Sequence, residues 1–192
     1  MAKADKAVYL VAGGAGIFFV AALAMKGKGG RMRAYVHNDS EMARFRQVLP
    51  EMQERLLLLE ARCRSRGFDL YWGDAFRSEA AVKATVAKGA SAVKTASWHE
   101  SRRAIDAYCV DPTTNIPDKA GKLLHLYRAM HEEWHKLGGN GLAFKPYPSG
   151  PVYKIQTVNG PKADLGHLEW RGNFKTALAA KEAFVKAGSK MA

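Results

Sequence analysis

The sequence predicts an α+β fold: a small single domain with a central antiparallel sheet flanked by helices, preceded by an apolar N-terminal helix. Three observations lead there. Stretches with apolar residues at three- and four-residue spacing come first, and stretches of period two then mix with further helical ones. Apolar residues make up 47% of 192 residues, enough for one core plus an appendage. Residues 7–25 form the one long uncharged run. The chain divides accordingly into an apolar anchor or signal-like segment (1–25), a basic Gly-rich linker (26–36), a globular domain (37–172) and a C-terminal basic amphipathic helix (173–192).

Along the domain, Asp39 or Ser40 can cap a first short helix. Pro50 fits the first turn of a second helix that runs to about Arg66 and stops at Gly67. In it, Met52, Leu56, Leu59 and Cys63 recur at helical spacing and belong to the core. Phe68–Trp72 reads as a short strand, and Ser78 can cap a helix through about Lys88. Arg103–Val110 alternates, with Asp106, Tyr108 and Val110 on one face and Ile105, Ala107 and Cys109 on the other. Pro117 is expected to open a long helix ending near Gly138-Gly139. A Pro-rich loop (Phe144–Pro151), a strand (Val152–Val158) closed by Asn159-Gly160, a last strand (Leu168–Trp170) and a helix (Phe174–Ala187) complete the pattern.

The net charge of +12 suggests an anionic partner: nucleic acid, a membrane surface or an anionic cell envelope. No nucleic-acid motif is recognisable. Cys63 and Cys109 are too few for a disulfide framework; one bridge is conceivable, and two small buried hydrophobes are the favoured reading. Residues 7–25 are just long enough to span a bilayer, flanked by Lys3 and Lys6 before and by Lys26, Lys28, Arg31 and Arg33 after. A cleavable signal, a permanent anchor and a weak, releasable anchor remain open; so does a buried helix inside a larger assembly such as a phage particle.

Two sets of residues carry metal chemistry. His131-Glu132-Glu133-Trp134-His135 matches H-E-x-x-H, a helical zinc motif. However, the position of a third His holds Gly141, and Glu132 lies nearly opposite the apolar stripe of Leu123, Tyr127, Met130, Trp134 and Leu137. The second set is His99 and Asp106, joined downstream by Asp164 and His167. Two imidazoles and a carboxylate are a usual ligand set for catalytic zinc, with a fourth position left to water, and the extra carboxylate could take that water's proton.

Ser97-x-His99 and Ala104-x-Asp106 resemble the S-x-H-x-x-G-x-A-x-D motif of the zinc D-Ala-D-Ala carboxypeptidase family, which includes VanY-type enzymes and phage L-alanyl-D-glutamate endolysins. Asp74-Ala75-Phe76-Arg77-Ser78 looks like the family's G-Y-R-S segment. Leu137–Gly141 and then Asp164-Leu165-Gly166-His167-Leu168-Glu169-Trp170 are similar to the endolysin branch's glycine-rich turn and D-x-P-H-F-[EQ] ending. The pieces come in family order over roughly residues 48–172. The resemblance implies that His99, Asp106 and His167 bind Zn2+, that Asp164 is general base and acid, and that Arg77 orients substrate or stabilises charge on the scissile carbonyl oxygen. Glu169 is a rival base, two residues from His167. The chain departs from the pattern at Arg102 (Gly in the motif), Gly166 (Pro) and Leu168 (aromatic), so the turn between the first two ligands is expected to be built differently.

The function expected is a zinc metallopeptidase that hydrolyses the peptidoglycan stem peptide, at L-Ala-D-Glu or D-Ala-D-Ala, as a phage endolysin or virion-associated lysin. Trp98 would help line the cleft and Phe144–Val158 would form one wall. The protein would be membrane-anchored through residues 7–25, facing the periplasm and cell wall, or carried in a virion, with no nucleic-acid partner. The rivals are an H-E-x-x-H zincin using His131, Glu132 and His135, and a non-catalytic membrane or virion structural protein on a hydrolase scaffold.

Overall fold

The structure is a computed structural model and describes residues 35–88, 96–141, 143–144, 152, 154–157 and 160–188. The expectations for residues 1–34, and most of the loop and wall expected over 144–158, lie outside these. Among the described residues no helix is long and apolar enough to cross a membrane.

In chain order the described elements are α1 (Asp39–Phe45), α2 (Pro50–Ser65), β1 (Leu70–Trp72), α3 (Glu79–Ala87), a 3-10 turn (Trp98–Ser101), β2 (Ala104–Cys109), α4 (Leu124–Lys136), β3 (Asn140–Gly141), β4 (Ile155–Thr157), β5 (Gly160–Lys162), β6 (His167–Glu169) and α5 (Ala177–Gly188). Four strands form an antiparallel sheet in the order β1-β2-β6-β3, and β4 and β5 form a separate hairpin. The predicted α+β class, with an antiparallel sheet and flanking helices, therefore holds for the described domain.

The sheet has two unlike faces because strand side chains alternate. Leu70, Trp72, Ile105, Ala107, Cys109 and Leu168 face the core with Met52, Leu56, Leu59 and Cys63 of α2 and Tyr127, Met130 and Trp134 of α4. Each of these large side chains is worth about 1.5–3 kcal/mol when fully buried, which fixes the strand register. The opposite face carries Tyr71, Asp106, Tyr108, His167 and Glu169, with Asp106 paired to His167 and Tyr71 to Tyr108. Cys63 and Cys109 are buried free thiols, as expected.

Several boundaries differ from the sequence reading. The first helix is capped by Asn38, whose side chain accepts from Glu41 N while Glu41 accepts from Asn38 N, both at 3.0 Å. This reciprocal box satisfies two backbone donors at once, which neither Asp39 nor Ser40 does. Pro117 does not open the long helix. It forms a bridge with Val110 and so lengthens the edge of β2. The Asp118 carboxylate then accepts from Leu123 N at 2.6 Å and its carbonyl accepts from Tyr127 Oη, delaying the helix to Leu124. The last helix starts at Ala177 rather than Phe174.

Candidate metal centre

His99 and Asp106 lie far from His167 in the chain, and the fold brings the three together. Asp106 and His167 are cross-strand partners on β2 and β6. His99 enters from the 3-10 turn that precedes β2. Ser97 caps this turn by accepting from His99 N at 3.3 Å, and Glu100 returns the bond by accepting from Ser97 N at 2.7 Å. Among the described residues, His99, Asp106 and His167 are the group able to hold an ion, their ligand atoms all within 4.8 Å of one another. Asp164, half-buried, lies three residues before His167 and feels the charges of His167, Asp106 and His99.

The tautomers of the two rings follow from their outer partners. His99 Nδ1 donates to the carbonyl of Ala75, and His167 Nε2 donates to Glu169, 3.2 Å away. Both inner nitrogens therefore present lone pairs. His99 Nε2 and His167 Nδ1 lie 3.3 Å apart, and Asp106 Oδ1 is 3.5 Å from one and 3.6 Å from the other. Lone pairs aimed at one another and at a carboxylate repel unless a cation sits among them. Ligand bonds of 2.0–2.1 Å to a tetrahedral zinc would separate the donors by about 3.3 Å, so the donor set fits this metal.

The electrostatics point the same way. Burial disfavours a charged His167, but hydrogen bonds to Asp106 and Glu169 and the charges of Asp164 and Glu169 outweigh it, raising its pKa to about 10. Burial likewise disfavours a charged Asp106, yet bonds from His167 and His99 and the nearby Arg77 hold its pKa well below the usual carboxylate range. Without a metal, the pocket gathers a proton in its place. Asp164 is shifted upward, first by burial and also by the charge of Asp106, as suits a group that takes a proton.

Arg77 lies beside the centre, with Nη2 at 2.5 Å from Asp106 Oδ2 and 3.3 Å from Asp74 Oδ2. Glu169 is almost fully buried and held from both sides: His167 lies on one oxygen and Arg171 on the other, with Nε at 2.7 Å. This geometry makes it an orienting partner for the His167 ring. Trp98, half-buried, lies under the Arg171 guanidinium at 5.7 Å.

Arg102 takes a left-handed conformation, φ 58° and ψ 28°, which favours glycine. Its backbone is held by N–H to His99 O at 3.2 Å and by its carbonyl, which accepts from Leu49 N at 3.0 Å. Its guanidinium lies over Phe76 at 5.3 Å and Phe184 at 5.4 Å. The C-terminal helix thus braces the His99 turn, helped by Lys181, whose ammonium stands 2.8 Å from the buried Glu100 and 2.9 Å from Glu79.

The H-E-x-x-H residues do not converge. His131 is fully buried, donates to Leu165 O at 2.7 Å and packs edge-on against Phe144. His135 is exposed, and Glu132 pairs with Arg66 at 2.8 Å and Lys136 at 3.1 Å. What sequence reasoning missed is that His131 belongs to the apolar face. It lies four residues after Tyr127 and three before Trp134, a spacing that was legible, and it fixes the loop that carries Asp164.

No protein-family model matches the chain, and no curated protein matches it. Among solved structures, the chain is similar to the crystal structure of the Serratia marcescens L-Ala D-Glu endopeptidase ChiX, with 15% sequence identity and a TM-score of 0.43 over 71% of this chain and 90% of that one.

Proposed function

We propose that this protein is a zinc-dependent peptidase of the peptidoglycan stem peptide, cutting at L-Ala-D-Glu or D-Ala-D-Ala. The observation that carries the reading is the convergence of two imidazole lone pairs and one carboxylate oxygen, 3.3–3.6 Å apart, beside a further carboxylate of raised pKa. The motif resemblance over residues 48–172 supports the substrate class, and the +12 charge suits an anionic envelope.

His99 Nε2, Asp106 Oδ1 and His167 Nδ1 would hold the metal. Bound zinc would polarise the scissile carbonyl and bring the pKa of its water to about 7. Asp164 accepts a proton at the rim and delivers it to the leaving amine, which its desolvated position favours. Glu169 and Arg171 keep the His167 ring in the tautomer that turns Nδ1 inward. Arg77 holds Asp106 and, once substrate enters, provides positive charge next to the carbonyl oxygen. The site of action proposed is the periplasmic face of the membrane or a phage particle, with residues 7–25 as the attachment.

Purified peptidoglycan incubated with the zinc-loaded protein, then analysed by mass spectrometry, tests this. New termini within the stem peptide, absent with Asp164→Asn, are expected. Intact stem peptides after digestion with the metal-loaded protein would refute it.

A further inference from the structure

Beyond the metal, the site face of the sheet continues toward β1, and nothing in the proposed chemistry uses that part. Tyr108 stands two residues past Asp106 on the same face of β2, with Tyr71 beside it on β1 at 6.0 Å between ring centroids. The chain keeps room for the Tyr108 ring with a glycine: a Cβ on Gly73 would come 2.7 Å from Tyr108 Cε2. A tyrosine phenol is an O–H donor at neutral pH.

Lys119 closes this end of the face. Its loop adjoins β2 on the edge away from β1: Asp118 N donates to Cys109 O at 2.8 Å, whereas Val110 N donates across to Asp69 O at 2.9 Å. Yet the Lys119 ammonium lies over the Tyr71 ring on β1, 4.9 Å from its centroid. The side chain therefore crosses the open face of β2 near the level of Tyr108. The Tyr71 hydroxyl on the floor is already held by Arg44 Nη2 at 2.9 Å. The exposed Asp74 has Arg77 as its partner. An exposed ammonium and a neutral phenol remain, both donors, over an aromatic floor.

We propose that Tyr108 and Lys119 form a carboxylate-binding subsite at the β1 end of the cleft, which takes a free carboxylate of the stem peptide while the neighbouring amide lies at the metal. This rests on the peptidase reading and narrows it to substrates that carry a free carboxylate at one fixed distance from the scissile bond. Two carboxylates qualify by chemistry: the α-carboxylate of the D-glutamyl residue and the C-terminal carboxylate of the stem.

Calorimetric titration of the zinc-loaded Asp164→Asn protein separates them, using a synthetic stem tetrapeptide, its D-glutamyl α-amide and its C-terminal amide. One of the two amides is expected to bind about tenfold more weakly than the free acid, the scale of a charge-assisted hydrogen bond. Adding Lys119→Gln should abolish that preference by weakening only the acid. Lys119→Arg should retain it, and Tyr108→Phe should lower acid affinity severalfold with an unchanged unfolding curve. If the peptides bind without preference, or the preference survives Lys119→Gln, the subsite is wrong while the peptidase reading stands. If no peptide binds, the peptidase reading fails and the subsite with it.

Discussion

Arg77 Nη2 lies 2.5 Å from Asp106 Oδ2, while Asp106 Oδ1 faces both histidine rings. The two oxygens of one carboxylate are thus divided between a guanidinium and the metal position. This division holds Asp106 to a single ligating oxygen. Arg77→Ala frees the carboxylate to rotate and should weaken zinc binding about tenfold, the usual scale for an outer-shell partner. Competition with a chromophoric chelator measures it. Unchanged zinc affinity with lost turnover would mean that Arg77 acts on substrate alone.

Asp164 and Glu169 should separate cleanly. Asp164→Asn is expected to keep its zinc and lose turnover by about 10²–10⁴, the range for a general acid–base group. Glu169→Gln keeps a base at the rim but weakens the acceptor on His167 Nε2, so zinc affinity should fall by about 10–100-fold with a smaller effect on the turnover of loaded protein. Parallel zinc titrations and peptide-release assays on the two variants check both. Loss of turnover in loaded Glu169→Gln with an active Asp164→Asn would exchange the roles.

Arg102 stores strain that a glycine would relieve. A left-handed non-glycine residue costs about 1–2 kcal/mol, and each exposed cation–π contact returns about 0.5–1 kcal/mol. Arg102→Ala keeps the strain and loses the contacts with Phe76 and Phe184, so it should destabilise by about 1 kcal/mol. Arg102→Gly loses the contacts and the strain together and should lie near the parent. Urea unfolding of the three proteins reads the order; a glycine variant less stable than the alanine variant would contradict it.

Two buried histidines give the metal-free protein opposite pH dependences. Burial pushes His131 down to about 4 from its ordinary 6.5, with the bond to Leu165 O opposing. The unfolded chain therefore takes up a proton below 6.5 that the folded one refuses, and this contribution to stability is lost as pH falls from 6.5 through 4. His167 is raised to about 10, so its contribution is complete below 6.5 and is lost as pH rises through 10. Stability of the metal-free protein should peak near neutrality. His131→Gln should flatten the acid limb and His167→Gln the alkaline limb, as read from urea midpoints across pH.

The alternation of β2 and the Met52–Cys63 stripe were legible because each repeats a period that burial enforces. The candidate ligand set of His99, Asp106 and His167 was legible as a pattern of types and spacings. The start of α4 was not: Pro117 fits a helix and a strand edge equally well, and the choice rests on a long-range bridge to Val110. The left-handed Arg102 was not legible, because the aromatic rings that hold its side chain come from positions 76 and 184. The role of Glu169 also escaped the sequence, since a carboxylate two residues from a ligand reads equally as base or orienter until its burial and its contact with Arg171 are known.

The most direct test of the account is the zinc content of purified protein and of three single variants. The parent should bind one zinc ion per chain, and His99→Ala and His167→Ala should each lose it while His131→Ala, where folded, keeps it. A parent that binds no zinc, or zinc retained in both His99→Ala and His167→Ala, would contradict it.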